Sequence, residues 1–151
     1  MTEELFRAQR PWSAKRPSKL VVCCSDGRWH GQIQEFVAKE VDHRSDMFAV
    51  PGGPAVIDAM SSSYEESKIF DNGMHLFVQY HNLDSVWLIS HHDCAFYRVR
   101  YPDLDDTQRL TRQREDLLRA ARLVKARYPE FEVKCMHATF HEGMVAFEPV
   151  E

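Results

Sequence analysis

Apolar residues in this chain fall into short continuous runs separated by amphipathic stretches. Lys19-Leu20-Val21-Val22-Cys23-Cys24 is apolar and partly β-branched, the pattern of a strand buried on both faces. It stops abruptly at Ser25-Asp26-Gly27-Arg28. Residues 30 to 41 carry Ile33, Phe36, Val37 and Val41 at helical spacing, and Asp46 to Val50 reads as a second strand, stopped by Pro51-Gly52-Gly53-Pro54. Ser61, Ser62 and Ser63, followed by Glu65 and Glu66, offer two overlapping capping boxes. They open a helix of about five turns, with Ile69, Phe70, Gly73, Leu76, Phe77 and Tyr80 on one face. Ser85 to Ser90 is a third buried strand, running directly into His91-His92-Asp93-Cys94. Residues 106 to 128 predict a long helix with Leu110, Leu117, Leu118, Ala121 and Val124 inward and a charged outer face, ended by Pro129. Phe131 to His137 and Met144 to Phe147 read as a hairpin turning at His141-Glu142-Gly143.

Apolar strands alternating with amphipathic helices predict an α/β fold: a mainly parallel sheet flanked by helices, closed by a C-terminal β-hairpin. Residues 1–18, with Arg7, Arg10, Lys15 and Arg16 around Pro11 and Pro17, read as an N-terminal arm or short helix packed on the domain or a partner. Residues 19–151 read as one domain. In such sheets ligands bind outside the carboxyl ends of the strands, where strand order reverses. Two motifs stand at strand carboxyl ends, Cys24-Ser25-Asp26-Gly27-Arg28 and His91-His92-Asp93-Cys94, so the fold can bring them together.

Composition narrows the chemistry. The 151 residues are 44% hydrophobic and 28% charged, enough to bury a core without disulfide staples. Nineteen Lys and Arg against 23 Asp and Glu give a net charge of -4, which argues against a nucleic-acid partner. No apolar run approaches the roughly 18 to 20 residues that span a bilayer, and Met1 to Arg7 lack the order of a signal peptide. The expectation is a soluble, cytoplasmic protein without membrane partners. Its four cysteines, Cys23, Cys24, Cys94 and Cys135, are then free thiols, redox groups or metal ligands.

Cys24, His91 and Cys94 together are the ligand set of a zinc site with one position open. The His-x-x-Cys spacing lets one tight turn present two ligands, and Cys24 comes from a neighbouring strand. Asp26 and Arg28, at i and i+2 past a strand end, can pair so that the carboxylate is oriented toward metal-bound water. Zinc lowers the pKa of that water toward about 7, which makes hydroxide available at neutral pH. Strand alternation turns Cys23 away from Cys24 and into the core, where Cys135 also belongs. His92 could shuttle protons or simply face solvent. His30, His75, His81, His137 and His141 default to the surface or to ordinary hydrogen bonds. Gly52 and Gly53 could line the site through their amides or only form a sharp turn. A phosphatase Cys-x5-Arg loop and a Gly-x-Gly-x-x-Gly fingerprint are both absent.

Cys24-x-Asp26-x-Arg28 followed by His91-x-x-Cys94, each after a buried strand, resembles the β-class carbonic anhydrases over residues 19 to 148 or so. The resemblance implies Zn²⁺ on Cys24, His91 and Cys94, and Asp26 with Arg28 as the catalytic dyad. Asp26 would either accept a hydrogen bond from zinc-bound water or itself take the fourth position. It implies reversible hydration of CO2 to bicarbonate by zinc-bound hydroxide, in a homodimer or higher homo-oligomer. Where that family has an Arg-Asn-Ala-Gly-Asn loop, this chain has Val50-Pro51-Gly52-Gly53-Pro54, and Ala95 replaces a usual glycine. These changes leave two alternatives: hydrolysis of carbonyl sulfide or carbon disulfide, or a non-catalytic zinc-binding structural or regulatory module. Phe48, Phe96 and Tyr97 are candidate pocket walls.

Overall fold

A computed structural model describes residues 4–151. Among the described residues there are five strands, β1 (Lys19–Cys24), β2 (Asp46–Val50), β3 (Ser85–His91), β4 (Glu132–His141) and β5 (Met144–Pro149). The α-helices are α1 (His30–Phe36), α2 (Tyr64–Tyr80), α3 (Ala95–Arg100) and α4 (Asp106–Arg127). The strands form one sheet in the order β2-β1-β3-β4-β5, parallel except for the antiparallel pair β4 and β5. This is the α/β architecture the hydrophobic pattern predicts.

Alternation along the central strands divides the core in two. Leu20, Val22, Val86 and Leu88 pack on one face against Phe70 and Met74 of α2 and Leu117, Ala120 and Val124 of α4. Val21, Cys23 and Ile89 pack on the other against Trp29, Ile33 and Val37. Central strands buried on both faces favour apolar residues throughout, which is why Leu20–Cys24 and Val86–Ile89 read as unbroken apolar runs. Cys23 and Cys135 lie in these cores, where burial pushes their thiols up to about 12 and about 11.

Helix boundaries follow their caps. Ser63 caps α2 by accepting a hydrogen bond from the Glu66 amide at 3.2 Å. A reciprocal capping box between Asp105 and Gln108 opens α4. Several boundaries differ from the sequence reading. The predicted helix over 30 to 41 keeps α geometry only to Phe36 and continues as a π turn over Val37–Asp42. Apolar spacing does not distinguish the two, since both keep Ile33 and Val37 on the buried side. The stretch Gly53–Ile57, read as a stop signal, is a buried 3-10 turn, and α3 was hidden in six residues too few to show periodicity. β4 runs on to His141, so the hairpin loop is Glu142 and Gly143, both with positive φ, at 49° and 82°. That is the geometry of a two-residue turn matched to strand twist.

The N-terminal arm has no helix or strand over residues 4–18 and is largely exposed, with residues 1–3 outside those described. Among the described residues no helix is long and apolar enough to cross a membrane.

Of the two defaults for His137, surface or ordinary hydrogen bonding, the structure takes the second. The residue is fully buried on β4, its Nδ1 lies 2.8 Å from Ser90 Oγ, and its Nε2 has no hydrogen-bond partner among the described residues. Burial, reinforced by Arg114, pushes its pKa down to about 4, so the folded protein holds a neutral ring. The unfolded chain takes up a proton near pH 6.5, and the folded one resists until about 4. Stability from this group is therefore complete above 6.5 and lost as pH falls toward 4, by roughly 3 kcal/mol. Urea unfolding at several pH values is expected to show this slope, and a His137→Gln variant to flatten it. An unchanged slope in the variant would contradict the assignment.

Candidate metal centre

After β1 the chain moves to β2 on one side, and β3 later enters on the other, so the order reverses between β1 and β3. Their carboxyl ends are level, with Cys23 paired to Ile89. Cys24 is the last residue of β1, His91 is the last of β3, and Cys94 caps the start of α3. Their ligand atoms all lie within 4.8 Å of one another, and all three side chains are buried. The two sulfurs are 3.9 Å apart.

His91 decides what this cluster can do. Its Nδ1 lies 2.8 Å from the His92 carbonyl oxygen, a contact in which the ring N–H donates. Nε2 is then the nitrogen with the free lone pair, and it is buried without a hydrogen-bond partner among the described residues. Leaving a polar atom so costs about 1 to 3 kcal/mol unless something else takes the lone pair. A metal ion shared with two thiolates would do so, and the carbonyl behind Nδ1 fixes the ring as metal-binding histidines usually require. The Trp29 ring, 4.9 Å away centroid to centroid and tilted by 34°, holds the imidazole from the side.

The sulfurs are poised for the same role. The contact with Cys94 holds Cys24 well below the usual thiol range, helped by His91 and the backbone N–H groups of Asp26 and Gly52. The same contact pushes Cys94 up. A divalent metal would be held by both sulfurs as thiolates, so its binding would release protons from the pair.

Asp26 is bound by Arg28 rather than by the cluster. Its carboxylate accepts from the Arg28 amide at 3.0 Å, from Nε at 3.1 Å and from Nη2 at 2.6 Å. These bonds hold its carboxyl down to about 2. Arg28 also reaches the other motif, donating to the Asp93 carbonyl at 3.1 Å and the Asp93 carboxylate at 3.3 Å. Arg98 binds the same carboxylate. The sequence reading passed over Asp93, which sits in the left-handed region at φ 55° and links the two arginines. The Asp93 and Arg98 pair, five residues apart across a helix start, was its only signal.

The glycine loop packs directly on Cys24. Gly52 and Gly53 have φ of 83° and 52°, and a Cβ on Gly53 would lie 2.7 Å from the backbone of Cys23 and Cys24. Ala55, Tyr97, Phe96 and Tyr101 complete an apolar lining around Cys24 and Cys94. Phe48 belongs elsewhere: it packs edge-on against Phe70, 5.4 Å away, in the core under α2. His92 is exposed.

The family described as "Putative carbonic anhydrase" matches residues 14–147. The chain belongs to this carbonic anhydrase family. The carbonic anhydrase of Streptococcus mutans superposes with a TM-score of 0.62 at 14% identity, covering 95% of this chain and 88% of its own. The β-carbonic anhydrase isoform I of Trichomonas vaginalis gives 0.58 at 7% identity, with coverage of 93% and 87%. A structure described as belonging to two tetrameric β-carbonic anhydrases of Sordaria macrospora gives 0.52 at 8%, covering 89% and 81%. At such identities the likeness to these carbonic anhydrases is one of fold. No curated protein matches the chain.

Proposed function

We propose that the chain is a zinc-dependent carbonic anhydrase that interconverts CO2 and bicarbonate. The observation that carries this reading is the orphaned Nε2 of buried His91 beside the Cys24 and Cys94 sulfurs. Cys24, His91 and Cys94 would hold the zinc and leave its fourth position to solvent. When bound, zinc supplies a Lewis acid that brings the pKa of water toward neutrality. Asp26 stays ionised throughout the neutral range, so it accepts a hydrogen bond and cannot donate one. A water donating to it would be left with a lone pair free for an electrophilic carbon. Arg28 keeps the carboxylate in that role, and Asp93 and Arg98 keep Arg28 in place. Ala55, Phe96 and Tyr97 give the surroundings an apolar character suited to a neutral linear molecule. Carbonyl sulfide and carbon disulfide share that shape and enter the same assay as competing substrates.

Stopped-flow hydration of CO2 by zinc-loaded protein between about pH 6.5 and 9 tests the proposal. Asp26→Ala is expected to lower the rate by about 100-fold or more while retaining zinc. Wild-type activity no higher than that of the variant at any pH would sink the CO2 reading.

We take the functional form to be a homo-oligomer. The Sordaria enzymes of this fold are described as tetrameric. Leu5, Phe6 and Trp12 on the arm, and Ile69, Leu76 and Tyr80 on α2, are exposed apolar groups that a second copy could cover.

A further inference from the structure

We propose that Gln113 and Asp116, two buried residues three apart on α4, are positioning residues that set the geometry of the metal turn. The inference rests on the reading of Cys24, His91 and Cys94 as a metal site.

The turn from His91 to Cys94 is tied to β4 by a backbone bond from the His92 amide to the Ala138 carbonyl at 2.8 Å and carries the His91 Nδ1 bond to the His92 carbonyl within itself. It contains a non-glycine residue in the left-handed region, Asp93, and leads into a six-residue helix with no side-chain cap. Its outer ties are the partly exposed ion pairs of Asp93 with Arg28 and Arg98. Such pairs are worth little in water. The inner ties come from α4. Gln113 donates from Nε2 to the His91 carbonyl oxygen at 2.9 Å and is 5% exposed. Tyr97, which packs against Cys24 and Cys94, donates its hydroxyl proton to Asp116 Oδ2 at 3.2 Å. Asp116 is fully buried, and its other oxygen receives Arg112 Nε at 3.0 Å and a guanidinium N–H of Arg119.

Spacing explains why one helix reaches both ends of the turn. Residues three apart share a helix face, so Gln113 grips the residue that ends β3 while Asp116 grips the aromatic residue three past Cys94. These positions lie on the inward face with Leu117 and Ala120, where a helix built only for packing would carry apolar residues. A buried amide and a buried carboxylate are costly unless fully partnered, and here their partners include a metal-ligand carbonyl and an aromatic of the site's lining. Gln113 therefore fixes the height of the His91 backbone. Asp116 fixes Tyr97, and through it the wall behind both sulfurs.

Cobalt(II), which reports coordination geometry in its absorption bands, tests this without reference to catalysis. Wild type, Gln113→Met and Tyr97→Phe are titrated with cobalt against a chelator, and the metal-free folding of each is checked by circular dichroism and urea unfolding. Met keeps the length of Gln without a donor, and Phe keeps the ring without the hydroxyl. Each variant is expected to weaken cobalt binding by about 10- to 100-fold and to shift the ligand-field bands. Should one variant fail to fold, the other still tests one of the two ties. Binding within about twofold of wild type, with superimposable bands, would make these residues ordinary packing and overturn the proposal. If wild type itself took no cobalt with a sulfur-to-metal charge-transfer band, the metal reading would fail, and this inference with it.

Discussion

Replacing Cys24 with serine is expected to strip the purified protein of stoichiometric zinc. Serine keeps the volume, but its hydroxyl stays protonated where a thiolate would bind. Only two of the three protein ligands then remain. If structural zinc sites bind by about 10 to 16 kcal/mol over four ligands, losing one thiolate costs roughly 3 kcal/mol, or more than 100-fold in affinity. The neighbouring Cys23 supplies the control. It lies one residue away but turns into the opposite core, with its thiol pushed up to about 12 by burial. Cys23→Ala should cost some stability from the lost packing and retain zinc in full. Metal analysis and chelator competition on wild type, Cys24→Ser and Cys23→Ala decide the matter. One zinc per chain in Cys24→Ser at wild-type affinity would refute the ligand assignment.

Gly53→Ala is expected to be the most destabilising conservative substitution in the loop, by about 3 kcal/mol or more. Two costs add. At φ 52° any L-residue is strained, and the new methyl group would stand 2.7 Å from the Cys23 carbonyl carbon and the Cys24 amide nitrogen. Those atoms belong to a central strand, hydrogen-bonded to β2 and β3, and cannot shift without carrying Cys24 with them. The substitution should therefore weaken metal binding as well as folding. Gly27 and Gly31 are the comparison, since an added methyl at either meets nothing within 4 Å. Urea unfolding of the metal-free proteins should place both near wild type and Gly53→Ala well below it. A loss under about 1 kcal/mol would show that the loop relaxes away from β1 at little cost.

Gly53 also shows where reading the chain reaches its limit. Two glycines between prolines suggest a sharp turn as readily as a site wall. What decides is the approach of that turn to the Cys23–Cys24 peptide, a contact across 29 residues of chain with no periodic trace. Gln113 and Asp116 had a trace, polar residues on the inward face of an amphipathic helix, but their partners His91 and Tyr97 are set by how α4 lies on the sheet. His137 was hidden in another way. A histidine in a strand with a polar end reads equally as a surface group or an ordinary hydrogen-bonding one until β5 pairs beside it and α4 packs on that side of the sheet.

By itself the sequence determined the layer architecture, the carboxyl ends of β1 and β3 to within a residue, and the three residues that meet there. Burial on two faces demands unbroken apolar runs, strand alternation separates Cys24 from Cys23, and the switch-point rule brings His91 and Cys94 to Cys24. Each is a short-range or topological constraint written in residue order. Tertiary structure alone decided the state of the groups: which His91 nitrogen is free, that Arg28 spans Asp26 and Asp93, and that α4 grips the metal turn from within. These depend on distances of a few ångströms between segments remote in the chain, and residue order does not carry them.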